Sequence, residues 1–309
     1  MLCGAARAAG TYPGKPIRWI VGYPAGGASD SLVRVLAEAM QPGLGEALVV
    51  DNRPGASGNI AVAALLQAPP DGYTIMNGEN STLFNNEHLY AKLPYRPDRD
   101  FTYIGAIGLV PFTLVVHPAF PARTLAEFVA YAKANPGKIN YASTGVGSPH
   151  RIAMEMFQRA HGIELTHVAY KGGAPAILDV RSGQVQAMML DLTVGIRNIR
   201  AGELRALAVA APQRIASIPE IPTFSELGFK DVISFTLHGL LGPAGMPKDI
   251  VDRLNGELHK AMQAPKVVRQ FADAGLQPTP GTPIEFQRTV QAERVRAGAL
   301  IKAAGISVD

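Results

Sequence analysis

Short apolar runs that end in glycine-rich turns and restart as helices recur along most of this chain. The first such turn, "YPAGGASDS" over Tyr23–Ser31, joins an apolar run at Ile17–Gly22 to a helix expected from about Ser31, with a stripe of Leu32, Val33, Leu36 and Met40. Alternating strands and helices with links this short point to a parallel sheet covered by helices on both faces. Small residues at such a junction do a second thing. They leave the main-chain N–H groups of the helix start open to whatever approaches.

The same unit repeats. Leu48–Asp51 reads as a strand, followed by "NRPGASGN" and a helix over Ile60–Gln67. "PPDG" is a turn, and Tyr73–Met76 is the next strand. The rhythm breaks over Leu89–Asp100, and Phe101–His117 reads as one long extended stretch. After a helix at Thr124–Ala134 the units resume. Ile139–Ala142 leads into "STGVGSPH" and a helix from Pro149 to about Ala160. Leu165–Ala169 leads into "YKGGAP" and a helix to Arg181. Gln184–Leu190 leads to Asp191 and a helix ending near Ala201, and Leu204–Ala210 is a further strand. A second extended stretch, Val232–Leu241, precedes three helices at Lys248–Gln263, Lys266–Ala274 and Pro283–Ala304. These late helices bring no sheet of their own, so the first sheet must host them.

A chain of 309 residues is long for one core. The expected organisation is domain I from residues 13–105 plus 235–309, and domain II from residues 106–234. Residues 1–12 form a leader remnant or a disordered tail. Two crossings make a hinge, and a hinge makes a cleft. The stretches opening with "KPIRWIVGYPAGGASDS" and "GKINYASTGVGSPH" echo each other, so each domain presents a similar turn to that cleft.

The helix N-terminus carries unpaired N–H groups and partial positive charge, and bare residues let an anion reach it. In the first turn Gly26, Gly27, Ala28 and Ser29 are the candidates, with Ser29 or Asp30 as cap. In the second, Thr144, Gly145, Val146, Gly147 and Ser148 form the donor ring, with Ser148 as cap and Pro149 as first helical residue. Gly172 in "KGGAP" and "PGASG" at 54–58 share the character. His150 reads as a helix-start residue touching solvent or ligand rather than as an acid or base. Asp191, ending an apolar strand, is either paired or in the cleft. Ser81 joins the ligand-contact candidates. Trp19 and Met188 or Met189 read as core.

Other chemistries find little support. G-x-G-x-x-G, the phosphate-loop pattern, G-x-S-x-G and metal-binding spacings are all missing, so no catalytic residue, metal or cofactor is assigned. The formal charge of +4 comes without a lysine-arginine block, which disfavours nucleic acid. No apolar run is long enough to span a bilayer. The lone Cys3 lies in the leader.

"YPGKPIRWIVGYPAGGASD", "VVDNRPGASGNI", "PPDGYTIM", "YASTGVGSPHRIAMEMF" and "VAYKGGAPAILDVRSGQV" in series resemble the tripartite tricarboxylate transporter receptors, the Bug or TctC family of periplasmic solute-binding proteins. The likeness runs from about residue 12 to 305. It implies a two-domain, type II periplasmic-binding-protein fold that closes on a small carboxylate, without catalysis. The ligand would be a dicarboxylate, an aromatic acid or an acidic amino acid. The receptor would be a periplasmic monomer that delivers its ligand to membrane transporter subunits. One ligand carboxylate would be held by Gly26–Ser29 and Thr144–Ser148, partly through main chain and water. Many members have a different residue before the first loop; here Tyr23 offers an aromatic wall and is kept as a ligand contact. A sensing role through a signalling partner and an enzyme on the same frame are the alternatives.

Overall fold

The computed structural model describes residues 12–229 and 234–308; the expected leader and the start of the second extended stretch, Val232–Ile233, lie outside them almost entirely. The first units are β1 (Ile17–Val21), α1 (Ala28–Leu44), β2 (Leu48–Asn52), α2 (Asn59–Leu66) and β3 (Thr74–Gly78). A wide helical turn at Ser81–Asn85 runs into the short α3 (Asn86–Leu89), and β4 spans Phe101–Val116. Then come α4 (Leu125–Ala134), β5 (Asn140–Ser143), α5 (Pro149–His161), β6 (Thr166–Ala169), α6 (Gly173–Arg181), β7 (Ala187–Asp191), α7 (Leu192–Arg200) and β8 (Arg205–Val209). The chain closes with β9 (Phe235–Pro243), α8 (Lys248–Gln263), α9 (Pro265–Asp273), the two-residue β10 (Gln277–Pro278) and α10 (Pro283–Ala304).

The strands lie in the order β2-β1-β3-β9-β4-β7-β5-β6, with β8 and β10 both pairing with β4. The two ends of this path are parallel: β1 with β2 and β3, and β5 with β6 and β7. The middle is antiparallel. β4 changes partners along its length, pairing with β9 over Phe101–Pro111 and with β7 and β8 over Phe112–Val116. Ser234 accepts from the Phe112 N–H at 3.1 Å just where the change occurs.

Helices cover both faces, as the alternation requires. Trp19, Val21 and Ile75 from the sheet pack with the Leu32–Val33–Leu36–Met40 stripe of α1 and with Leu254, Leu258 and Phe271 of α8 and α9. Ile20, Met76, Leu237 and Leu241 face the other way, onto Val62 of α2 and Phe286 and Val290 of α10. Around β5 and β7 the same division holds, with Phe128 and Phe157 of α4 and α5 on one face and Ala176 and Val180 of α6 on the other. Burying one such large apolar side chain contributes roughly 1.5–3 kcal/mol, and these pairs fix which face of each helix turns inward.

Among the described residues, the starts of α4, α5 and α10 carry a side-chain cap. Thr282 accepts from the Glu285 N–H, Glu285 bonds back to the Thr282 N–H, and Pro283 occupies the first helical position of α10. At α1 the expectation needs correction. The helix begins at Ala28 rather than near Ser31, and its cap is Gly27, not Ser29 or Asp30. Asp30 has another use. Its carboxylate accepts from the Gly26 N–H at 2.9 Å, from Asn52 at 2.9 Å and from Arg34. Burial alone would raise the Asp30 pKa, but Arg34, the Gly26 N–H and Asn52 hold it below the usual carboxylate range. The turn is thereby tied to its own helix, and Gly26 takes a left-handed φ of 80° that glycine tolerates best.

Candidate functional site

The turns after β1, β3 and β7, the start of α5 and the start of α6 converge on one partly open cavity of about 50 Å³, with a wider one of about 530 Å³ beside it. The two share the walls Tyr23, Pro24, Thr144, Lys171 and Gly172. Besides α5, three helices start at the inner cavity. It is lined by Gly27, Ala28 and Ser29 at the start of α1, by Gly172–Pro175 at the start of α6, and by Asp191 and Val194 at the start of α7. N–H groups in a helix's first turn have no acceptor within the helix, so Ala28 and Ser29 on one side and Gly173 and Ala174 on the other form a positive rim. Gly172 has φ 124°, and a Cβ there would stand 3.1 Å from the Pro24 ring, so the two rims meet at close range.

The back wall is polar and hydrogen-bonded. His150 Nε2 lies 2.8 Å from Asp191 Oδ2, and its Nδ1 lies 2.9 Å from Thr144 Oγ1. Thr236 donates to Asp191 Oδ1 at 2.9 Å. Asp191 is thus both paired and at the cavity, the two alternatives its position left open. Burial works against its charge, but the His150 ring, with His238 and Thr236, holds its pKa below the ordinary range. His238, fully buried behind it, is pushed down to about 4. Phe112 stacks on the His150 ring at 4.9 Å between centroids and locks it in place.

The sequence candidates divide. Tyr23, Gly27, Ala28, Ser29, Thr144, His150, Gly172 and Asp191 line the inner cavity, and Gly145 lines the wider one. Gly26, Ser81, Gly147 and Ser148 line neither. The Gly26 N–H is spent on Asp30, as above. Ser81 lies 3.2 Å from the Tyr23 hydroxyl and orients it. Ser148 caps α5, accepting from the Arg151 N–H at 3.4 Å. Gly147 packs against Ser57, whose Oγ would lie 2.9 Å from an added Cβ. So the second turn reaches the inner cavity through Thr144 alone, and the α6 start supplies the donors opposite α1.

Two of the cavity residues that the sequence reading did not single out as ligand contacts bear most on the site. Met188, taken as core, is fully buried and also forms part of the cavity wall. Glu79, one residue past β3, is 6% exposed and lines the cavity. Ser29 Oγ donates to its Oε2 at 3.5 Å, while Oε1 has no hydrogen-bond partner. Burial pushes the Glu79 carboxyl up to about 7; the charge of Asp191 adds to this, and Tyr23, His150 and Ser81 pull part of it back. Among the described residues, no group of three or more His, Cys, Asp or Glu side chains is arranged to hold a metal ion, and no helix is long and apolar enough to cross a membrane.

The family model described as "TctC: Tripartite tricarboxylate transporter family receptor" matches residues 32–306. The chain belongs to this receptor family. Protein BugT of Bordetella pertussis is 33% identical over 96% of the chain and 91% of its own length. The solved periplasmic binding protein BugD superposes with a TM-score of 0.91 at 33% identity, over 96% of this chain and 99% of that one. R. palustris Rpa4515, solved with adipate, gives a TM-score of 0.93 at 31% identity, again over 96% and 99%. The fold of this TctC-family receptor is therefore the type II periplasmic-binding-protein fold, as the sequence resemblance implied. The family is one of periplasmic solute receptors, not of enzymes.

Proposed function

We propose that this receptor works in the periplasm, captures a small carboxylate between the starts of α1 and α6, and delivers it to a tripartite tricarboxylate-type membrane transporter. The observation that carries the reading is the pair of facing helix starts, Ala28–Ser29 and Gly173–Ala174, across one partly open cavity. Their N–H groups would bond the carboxylate in a site shielded from water, where charge-assisted bonds strengthen. A few such bonds at roughly 1.5–3 kcal/mol each, less the cost of association, supply an affinity near 1 μM, about 8 kcal/mol.

The inner cavity, at about 50 Å³, has room for only a few waters at roughly 10–15 Å³ each. A ligand of several carbons therefore enters an opened form. We place the hinge on β4 and β9, the long strands that connect the two parallel ends of the sheet, so that residues 13–105 with 235–309 move against residues 106–234.

A thermal-shift screen of adipate, succinate, glutamate and benzoate, each beside its amide or methyl ester, tests the function. At least one acid should raise the melting temperature while its neutral counterpart does not. Equal stabilisation by acid and ester would refute the anion site.

A further inference from the structure

We propose that Glu79 meets the ligand as a neutral carboxylic acid and donates its proton to the bound carboxylate, so that capturing the anion takes up a proton from solvent. This rests on the carboxylate reading above.

The geometry sets the problem. Glu79 Oε2 is held by Ser29 Oγ at 3.5 Å, and Ser29 is in the first turn of α1. An anion received by that first turn lies beside a carboxyl group of the protein itself. Two carboxylates sharing one site cannot both stay ionised; one retains a proton and donates it to the other. Glu79 Oε1 is free to play that part. It is unpartnered, and its residue is more than nine-tenths buried on the cavity wall.

The surroundings decide which carboxyl takes the proton. From the β1–α1 turn, Tyr23 and Ser29 face Glu79 with hydroxyls, and Ser81 does so from the turn after β3. His150 of α5 and Asp191 at the end of β7 act on it across the cavity. Lys171 lines the same cavity from the turn before α6. Asp191 already has His150 and Thr236 as donors and stays ionised. His238 behind it stays neutral near pH 7. Glu79 has only hydroxyls beside it, Ser29 at 3.5 Å with Tyr23 and Ser81 nearby, and no ion pair among the described residues. Environments that separate two acids in this way assign one as charged and the other as proton carrier.

Isothermal titration calorimetry with the acid that stabilises most in the panel, at pH 6, 7 and 8, tests this. Each titration is run in two buffers of different ionisation enthalpy. With the Glu79 pKa at about 7, binding should weaken about tenfold from pH 6 to pH 8 and take up about half a proton at pH 7. Glu79→Gln keeps an N–H donor in place without a titrating proton. It should bind with little pH dependence and no proton uptake. Wild-type binding that is flat with pH, or tighter at pH 8, overturns the proposal while leaving the carboxylate reading intact. Proton uptake that persists in Glu79→Gln places the titrating group elsewhere and also overturns it. Should no acid of the panel bind at any pH, both readings fall together.

Discussion

Replacing Glu79 with glutamine should stabilise the ligand-free protein at pH 8 and hardly at all at pH 5. The sign follows from linkage. Burial raises the folded-state pKa of Glu79 from 4.5 to about 7, whereas the unfolded chain keeps the ordinary value. Below the unfolded pKa both states carry the proton, and burial of the neutral acid is uncharged. As pH rises from about 4.5 to about 7 the unfolded chain ionises first, so stability falls by about 1.4 kcal/mol per unit. Above pH 7 the loss levels off at roughly 3 kcal/mol. Glutamine has nearly the same shape and no such loss. For 309 residues, an unfolding entropy of about 2.1 cal/mol/K per residue turns this into a gain of roughly 5 °C at pH 8 and about 1 °C at pH 5. Differential scanning calorimetry of both proteins at pH 5, 6, 7 and 8, without ligand, measures it. Parallel melting temperatures across that range would refute the claim that this carboxyl is buried at a cost.

Three further outcomes are expected. Gly27→Val should weaken binding of the acid found in the screen by tenfold or more in calorimetry, because Gly27 lines the inner cavity and an added Cβ already approaches Pro24 O at 3.3 Å; unchanged affinity would move the site elsewhere. Gly239→Ala should cost about 1–3 kcal/mol or more in urea unfolding, since its Cβ would sit 2.0 Å from Phe286 Cζ between β9 and α10. An unshifted midpoint would contradict that packing. Asp191→Asn should lower stability at pH 7 by about 1.5–3 kcal/mol, the worth of a charged hydrogen bond. Its carboxyl is held below the usual range, so this stabilisation is present above the ordinary carboxylate pKa and fades as pH falls through the lowered one. Wild type and variant should therefore converge in acid, and a difference that grows there would show the sign to be wrong.

The elements were legible where chemistry is local. Pro283 at a helix start and the apolar stripe of α8 place those two helices at their observed bounds. Asp30 misled because Ser, Asp and Thr near a glycine turn look like caps. Here the glycine itself is the cap and the carboxylate folds back to the Gly26 N–H. The wide turn at Ser81–Asn85 has no periodicity to announce it. In the site, single turns could be read, but not which of them face each other. His150 and Asp191 are 41 residues apart in the chain and meet at 2.8 Å. Glu79 looks like any polar residue beyond a strand. It is buried beside Tyr23 and Ser29, which only the packed structure brings to it.

The place of β9 has a consequence for how the chain comes together. β3 and β4 are not neighbours; β9 lies between them, and it starts at Phe235, long after β4 has ended at Val116. Before β9 is available, β1 to β3 are left with a raw edge, while β5 to β8 already have one another and the tail of β4 to pair with. The segment made second is therefore the one able to close first, and the segment made first waits for the last quarter of the chain to seal it.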